Sequence, residues 1–226
     1  MSDYILKLIQ RGENQQLDFK FEISDSKKIA RSLVAFANTD GGKLLVGVKD
    51  NGAIAGVRSD EEYHMVEAAA QLYCKPEVKF TTREWNIGGK KVLEVNVPRS
   101  LEVKHQAPDR NNEFKIFVRV NDQNLLASSI QIRLWKRQQS KIPVRVSLTD
   151  IELGLLHYLE KNESISLAAF IKMSGINKHK AEAILVSFIL LGIIGMIVSE
   201  KGTIFVLKEP DYQWLIDENA MRNVIR

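Results

Sequence analysis

The stretch from Ile29 to Val57 constrains this chain more than any other. Ile29, Leu33 and Phe36 recur at helical spacing behind Ser24 and Asp25, either of which can cap a helix. Thr39-Asp40-Gly41-Gly42 stops that helix, and the apolar run Leu44–Val48 follows at once. Asp50-Asn51-Gly52 separates that run from Ala53–Val57. Asn-Gly between two apolar runs predicts a hairpin, because both turn residues accept positive φ. A capped helix feeding directly into paired strands points to an α+β layer structure.

The flanking sequence extends this pattern. Residues 3–11 read as a short amphipathic helix and Leu17–Phe21 as a strand. Ser59-x-x-Glu62 is a capping box opening a helix toward Cys74. Lys79–Ile87, Gly88-Gly89 and Lys91–Val97 predict a second hairpin. Phe114–Val120 alternates as a strand, and 128–139 has helical spacing. We therefore expect an N-terminal domain over 1–140 with a mixed or largely antiparallel sheet. Composition shifts at Lys141-Ile142-Pro143, which places a linker at 141–147. Beyond it, Thr149-x-x-Glu152 caps a helix to about Lys161, Ser166 opens a short helix stopped by Gly175, and Asn177 caps a third that Gly192 ends. Met196–Ser199 and Thr203–Leu207 flank Glu200-Lys201-Gly202 as a hairpin. Three helices and a two-stranded wing are the order of a winged helix-turn-helix, expected over 148–209. A tail from Pro210 to Arg226, with Trp214 and Leu215, is expected to dock on a partner subunit or on its own core.

Composition excludes several classes. With 45% apolar residues in 226, wholesale disorder is excluded. A lone cysteine, Cys74, excludes an internal disulfide framework and suits a reducing cytoplasm. No secretory signal is readable at the N-terminus. The longest apolar run, Ala183–Val198, falls short of the ~20 residues of a membrane span and is cut by Gly192 and Gly195. It reads as a buried helix running into a strand. The net charge of +4 lies entirely in residues 1–140, where 22 basic residues face 18 acidic ones. Within 99–140 there are 8 basic and 4 acidic residues, a local surface suited to a polyanion.

Two nucleotide motifs fail on inspection. Gly41-Gly42-Lys43 resembles the end of a P-loop, but Ala37 and Leu44 stand where that loop needs Gly and a hydroxyl. Asp50-Asn51-Gly52 is followed by Ile54 where an ATPase box needs a second Gly. Tight turns account for these glycines, and ATP hydrolysis is not expected.

Gly12-Glu13-Asn14-Gln15-Gln16-Leu17-Asp18-Phe19-Lys20, together with Ala35-Phe36-Ala37-Asn38-Thr39-Asp40-Gly41-Gly42 and its continuation to Gly52, resembles the Schlafen AlbA-like domain. Phe117-Val118-Arg119-Val120, with Asn124 and Ala127-Ser128, resembles a later block of the same family. The likeness spans roughly residues 8–140. The C-terminal segment resembles the winged helix that often follows this domain in bacterial regulators. The resemblance implies nucleic-acid binding and, in some members, a metal-dependent endoribonuclease using three carboxylates. Carried over, these are Glu13, Asp18 and Asp50, with Lys20 on the phosphate and Mg²⁺ or Mn²⁺ as the ion. Asp18 stands where the family usually has Glu, and this chain has one lobe where the ribonucleases have two.

The candidate phosphate contacts are Lys104, Lys115, Arg119, Arg133, Lys136 and Arg137. In the C-terminal segment they are Lys178, His179 and Lys180 in the first turn of the third helix, and Lys201 at the wing tip. Trp85, Trp135 and Trp214 are read as core or interface, and His64, His105 and His157 as isolated. The expected function is a cytoplasmic, homodimeric DNA-binding transcriptional regulator, without cofactor and with DNA or RNA as partner. Two alternatives stay open: a metal-dependent endoribonuclease, and an interaction adaptor that dimerises through the winged helix.

Overall fold

The computed structural model describes residues 2–57, 59–144 and 147–208. The chain divides after Ala127 into two compact units.

In the first unit, α1 (Ser2–Gln10) precedes β1 (Leu17–Lys20), α2 (Ser26–Asn38) and β2 (Gly42–Val46). Next come α3 (Glu61–Leu72), β3 (Thr81–Ile87) and β4 (Lys90–Val97). Four short strands close the unit: β5 (Ala107–Pro108), β6 (Phe114–Lys115), β7 (Phe117–Val120) and β8 (Gln123–Leu126). The main sheet runs β1-β2-β4-β3, with β1 parallel to β2 and the other pairs antiparallel. Its two faces belong to different cores. Leu44, Val46, Leu93 and Val95 pack with Leu33, Phe36 and Ala37 of α2 and with α3. Leu17, Phe19, Leu45, Trp85 and Val92 pack with Ile5 of α1.

The second hairpin forms, and Gly88 (φ 57°) and Gly89 (φ 79°) supply its left-handed turn. Around Asp50 only the single bridge Val48–Ile54 pairs, and Gly52 alone in the turn has positive φ. Residues 53–57 therefore form no strand. The expected strand Phe114–Val120 breaks at Ile116, because β6 pairs with β5 while β7 pairs with β8. The Ser59-x-x-Glu62 box does not form: Ser59 Oγ accepts from Glu61 N, and Asp60 is the cap residue.

The second unit begins with α4 (Ser129–Gln138), followed by α5 (Asp150–Lys161), β9 (Ile165–Ser166), α6 (Leu167–Ser174) and α7 (Lys178–Leu190). The antiparallel hairpin of β10 (Ile194–Ser199) and β11 (Gly202–Leu207) ends the described part, with β9 on its far edge. The capping boxes at Ser128 and Thr149 form, as do the caps Ser166 and Asn177. Sequence spacing assigned α4 to the first domain. Its Ile130 and Leu134 instead join the core built by Leu155, Phe170, Leu185, Phe188 and Phe205. Among the described residues no helix is long and apolar enough to cross a membrane. The tail 210–226, with Trp214, lies outside the described residues, as does part of the expected linker.

Candidate nucleic-acid interface

The most distinctive sequence block, Ala35 to Gly42, serves as scaffold. Asn38 is buried, and its amide donates to the carbonyls of His105 and Phe117 at 2.9 Å each. Its Oδ1 accepts from His105 N at 2.8 Å. One side chain thereby satisfies three backbone groups of two later segments. Thr39 Oγ1 donates to Ala35 O and accepts from Arg119 N. Gly41 (φ 70°) lies where a Cβ would meet Val97 O at 2.8 Å, and a Cβ on Gly42 would enter the Phe36 ring at 2.3 Å. Packing therefore demands both glycines. His105 is held through Nδ1 against Pro76 O at 2.8 Å and is a satisfied core residue.

Glu13, Asp18 and Lys20 come together. Glu13 Oε1 accepts from Phe19 N at 2.8 Å. Its carboxyl is pushed above the ordinary carboxylate value, first by burial and then by the adjacent Asp18. Asp18 is buried beneath the sheet. Lys20 Nζ lies 3.1 Å from its Oδ2, Ser32 Oγ donates to the same oxygen at 3.4 Å, and Arg119 Nη2 lies 3.4 Å from Oδ1. Asp50 does not join them; it is exposed on the turn closed by Gly52 N on Lys49 O. Among the described residues no three His, Cys, Asp or Glu side chains group to hold a metal. Asp18's oxygens already have donors, so these residues do not fit the divalent ion that the three-acid pattern implies.

Arg119 corrects an expectation. It was expected on phosphate, yet only 1% of its side chain is exposed. Its guanidinium donates to Asn14 O, to Leu17 O at 3.1 Å and to Asn124 Oδ1 at 3.1 Å. Asn124 donates to Ser32 Oγ, and Ser32 donates to Asp18, which closes a ring of polar contacts back to Arg119. A buried cation must be matched on all sides, and this one is. Lys104, by contrast, is half-buried and donates to Asn38 O; burial, then Arg99, lowers its pKa. Lys115 is exposed and paired with Glu113 at 2.7 Å.

In the second unit Glu182 of α7 is buried and binds α4. Ser129 Oγ donates to its Oε1 at 2.5 Å, and Arg133 Nε lies 2.7 Å from its Oε2. Arg133 Nη2 also lies 2.6 Å from His179 Nδ1. Arg133 is still 39% exposed. Arg137 turns back to Ser140 and to the Pro143 carbonyl, while Lys136 faces solvent. Asn177 caps α7 through Lys180 N, and Lys178, His179 and Lys180 are all exposed on its leading turn. Lys178 reaches Glu182 only at 3.8 Å. Lys201 is exposed at the tip between β10 and β11.

Sequence reasoning missed a polar face in the first unit. Glu94 is buried in β4 and receives three donors: Lys43 Nζ at 2.7 Å, Trp85 Nε1 at 2.7 Å and Tyr4 OH at 2.9 Å. Burial raises its pKa, but these donors outweigh burial, and the net shift is downward. Trp85 is thus committed to the core, with Arg83 over its ring at 4.1 Å. The signal available in sequence was Lys43 at the head of an otherwise apolar strand.

A family model described as Schlafen, AlbA_2 matches residues 13–128. No curated protein sequence matches the chain. Among solved structures, the DIP2311 protein of Corynebacterium diphtheriae aligns with a TM-score of 0.42 at 16% identity, over 85% of this chain and 34% of that one. The chain thus spans about a third of that protein's length. The N-terminal domain of a RecG-related protein from Nitrosomonas europaea aligns with a TM-score of 0.36 at 18% identity, over 64% of this chain and 95% of that domain.

Proposed function

Because the chain belongs to the Schlafen, AlbA_2 family, we propose that it is a nucleic-acid-binding protein that acts as a DNA-binding transcriptional regulator. In this reading α5 to β11 form a winged helix-turn-helix, α7 is the recognition helix, and the protein works as a homodimer in the cytoplasm. The observation that carries the reading is the leading turn of α7. Lys178, His179 and Lys180 are exposed there in the positions from which recognition helices address the groove. Cations at a helix N-terminus oppose the helix dipole by a few tenths of a kcal/mol each, so helix stability does not recommend them. A polyanion meeting the same turn gains from the cations and from the free backbone N–H groups together. Lys201 at the hairpin tip suits a flanking phosphate.

The test is fluorescence anisotropy of the full chain with labelled duplex DNA between ~50 and ~200 mM salt. The expected result is affinity falling steeply with salt. In the Lys178→Ala/Lys180→Ala variant we expect about tenfold weaker binding and a log–log salt slope shallower by about 2. Duplex binding unchanged in that variant removes α7 from the interface and leaves the second unit as a docking module.

A further inference from the structure

The sheet face under α1 is only partly covered. α1 packs over Leu17, Phe19, Leu45, Trp85 and Val92, and beyond that core the same face turns polar. The strand register explains this. One cross-sheet row runs Leu17, Lys43, Asn96, Thr81, and the next row on that face runs Phe19, Leu45, Glu94, Arg83. Two adjoining hollows of about 570 and 360 Å³ open there, and both are lined by Lys43 and Asn96. Arg83 and Tyr4 line the first, and Arg11 and Arg99 line the second.

Four cations and two acids border this groove, and both acids are already engaged. Glu94 takes its three donors, and Asp40 Oδ2 accepts from Gln15 Nε2 at 3.0 Å. Lys43 stays charged: burial pulls its pKa down, but Glu94 and Tyr4 more than offset this and hold it above the ordinary lysine value. The formal charges along the groove sum to +2, with Lys43 shared between Glu94 and Asn96 Oδ1 and the three arginines carrying the excess. Hollows of this size admit units of small-molecule bulk, not the width of a duplex.

We propose that this groove is a second nucleic-acid contact, which seats the phosphodiester backbone of a single strand along Arg83, Lys43, Arg11 and Arg99. Tyr4, 40% exposed at the rim, offers a ring edge for one base. The inference rests on the nucleic-acid reading above for the class of polyanion, and on the first unit alone for the site. Such a contact supplies affinity and strand preference without sequence readout.

The experiment uses the full chain, a labelled single-stranded oligonucleotide and the matching duplex. Arg11 and Arg99 are exposed, so Arg11→Glu/Arg99→Glu should fold, with a thermal melt like the wild type; Arg83→Glu is the second variant. For the single strand we expect at least about tenfold weaker binding and a salt slope shallower by about 2 in the double variant, and a smaller loss in Arg83→Glu. Duplex binding through α7 should change by less than about threefold, whereas Lys178→Ala/Lys180→Ala should show the opposite pattern. Single-strand affinity within about twofold of wild type in both groove variants overturns the groove and leaves the α7 reading standing. Single-strand binding without duplex binding in the wild type overturns the α7 reading and keeps the groove. A wild type that binds neither overturns both.

Discussion

Arg119 in the first unit and Arg133 in the second were both expected to meet phosphate, and both are held by a buried carboxylate. They differ in what is left over. Arg119 and Asp18 are 1% and 4% exposed, and every direction around the guanidinium ends on a protein oxygen or on the Phe36 ring. Arg133 binds a carboxylate that is 2% exposed while itself staying 39% exposed. The first unit spends its central charges on holding distant segments together. The second anchors an arginine from below and leaves the rest of it in solvent, beside the leading turn of α7. Residue type alone does not assign a role; the number of backbone acceptors within reach does.

The sharpest way to break this comparison is to delete the first arginine. Arg119→Ala takes the buried guanidinium away from Asp18, which keeps Lys20 and Ser32, and removes one of the two donors on each of the Asn14 and Leu17 carbonyls, which retain their mutual backbone bonds. Removing one partner of a buried pair costs about 3–5 kcal/mol. Cys74 reports on this unit. Its thiol is buried in the first core, and burial pushes its pKa up to about 12, so it is protonated and inert near neutral pH. Thiol labelling of Cys74 in Arg119→Ala should therefore start at a much lower urea concentration than in the wild type. An unchanged midpoint would demote the polar ring to decoration.

Glu182→Ala is the counterpart in the second unit. It removes the acceptor of Ser129 and of Arg133. Because Arg133 is more than a third exposed, water replaces much of that pair, and the expected cost is about 1–3 kcal/mol. The loss should appear in helix melting by circular dichroism and not in Cys74 labelling. Glu182→Gln should recover about half, since it can still accept from Ser129. Faster Cys74 labelling in Glu182→Ala would mean that the two units do not unfold separately.

What was legible in the sequence follows the same division. The second unit is built from local signals. Thr149, Ser166, Asn177 and Gly175 each act within a turn of their own position, and all four form caps where spacing placed them. The leading turn of α7 was readable for that reason. In the first unit the decisive contacts join residues a hundred positions apart, as Arg119 does with Asn14 and Leu17. No periodicity carries that information. The groove was hidden in the same way, because Lys43, Arg83 and Asn96 become neighbours only through the register of three strands. α4 was misassigned since an amphipathic helix states which face is apolar and not which core receives it.

The smallest effect concerns the sign of one charge in the first unit. Burial, and then the Asp18 carboxylate beside it, raise the pKa of Glu13 in the folded state. An acid with a raised folded value binds its proton more tightly in the native state, so its contribution to stability falls as pH rises through the window between ~4.3 and that value. Glu94 behaves oppositely: its lowered value adds stability above ~4.3 that is lost as pH falls through the folded value. Glu13→Gln keeps an oxygen for Phe19 N and removes the charge that Asp18 opposes. It should leave the protein slightly more stable than wild type near neutral pH, by under about 1 kcal/mol, and the gain should vanish below pH ~4. Urea midpoints from Cys74 labelling at neutral pH, and from intrinsic fluorescence across the acid range, measure it. A variant less stable than wild type at neutral pH would mean that the ring of contacts around Asp18 uses the Glu13 charge after all, and that the first unit's compensation of buried charge extends one residue further than Arg119.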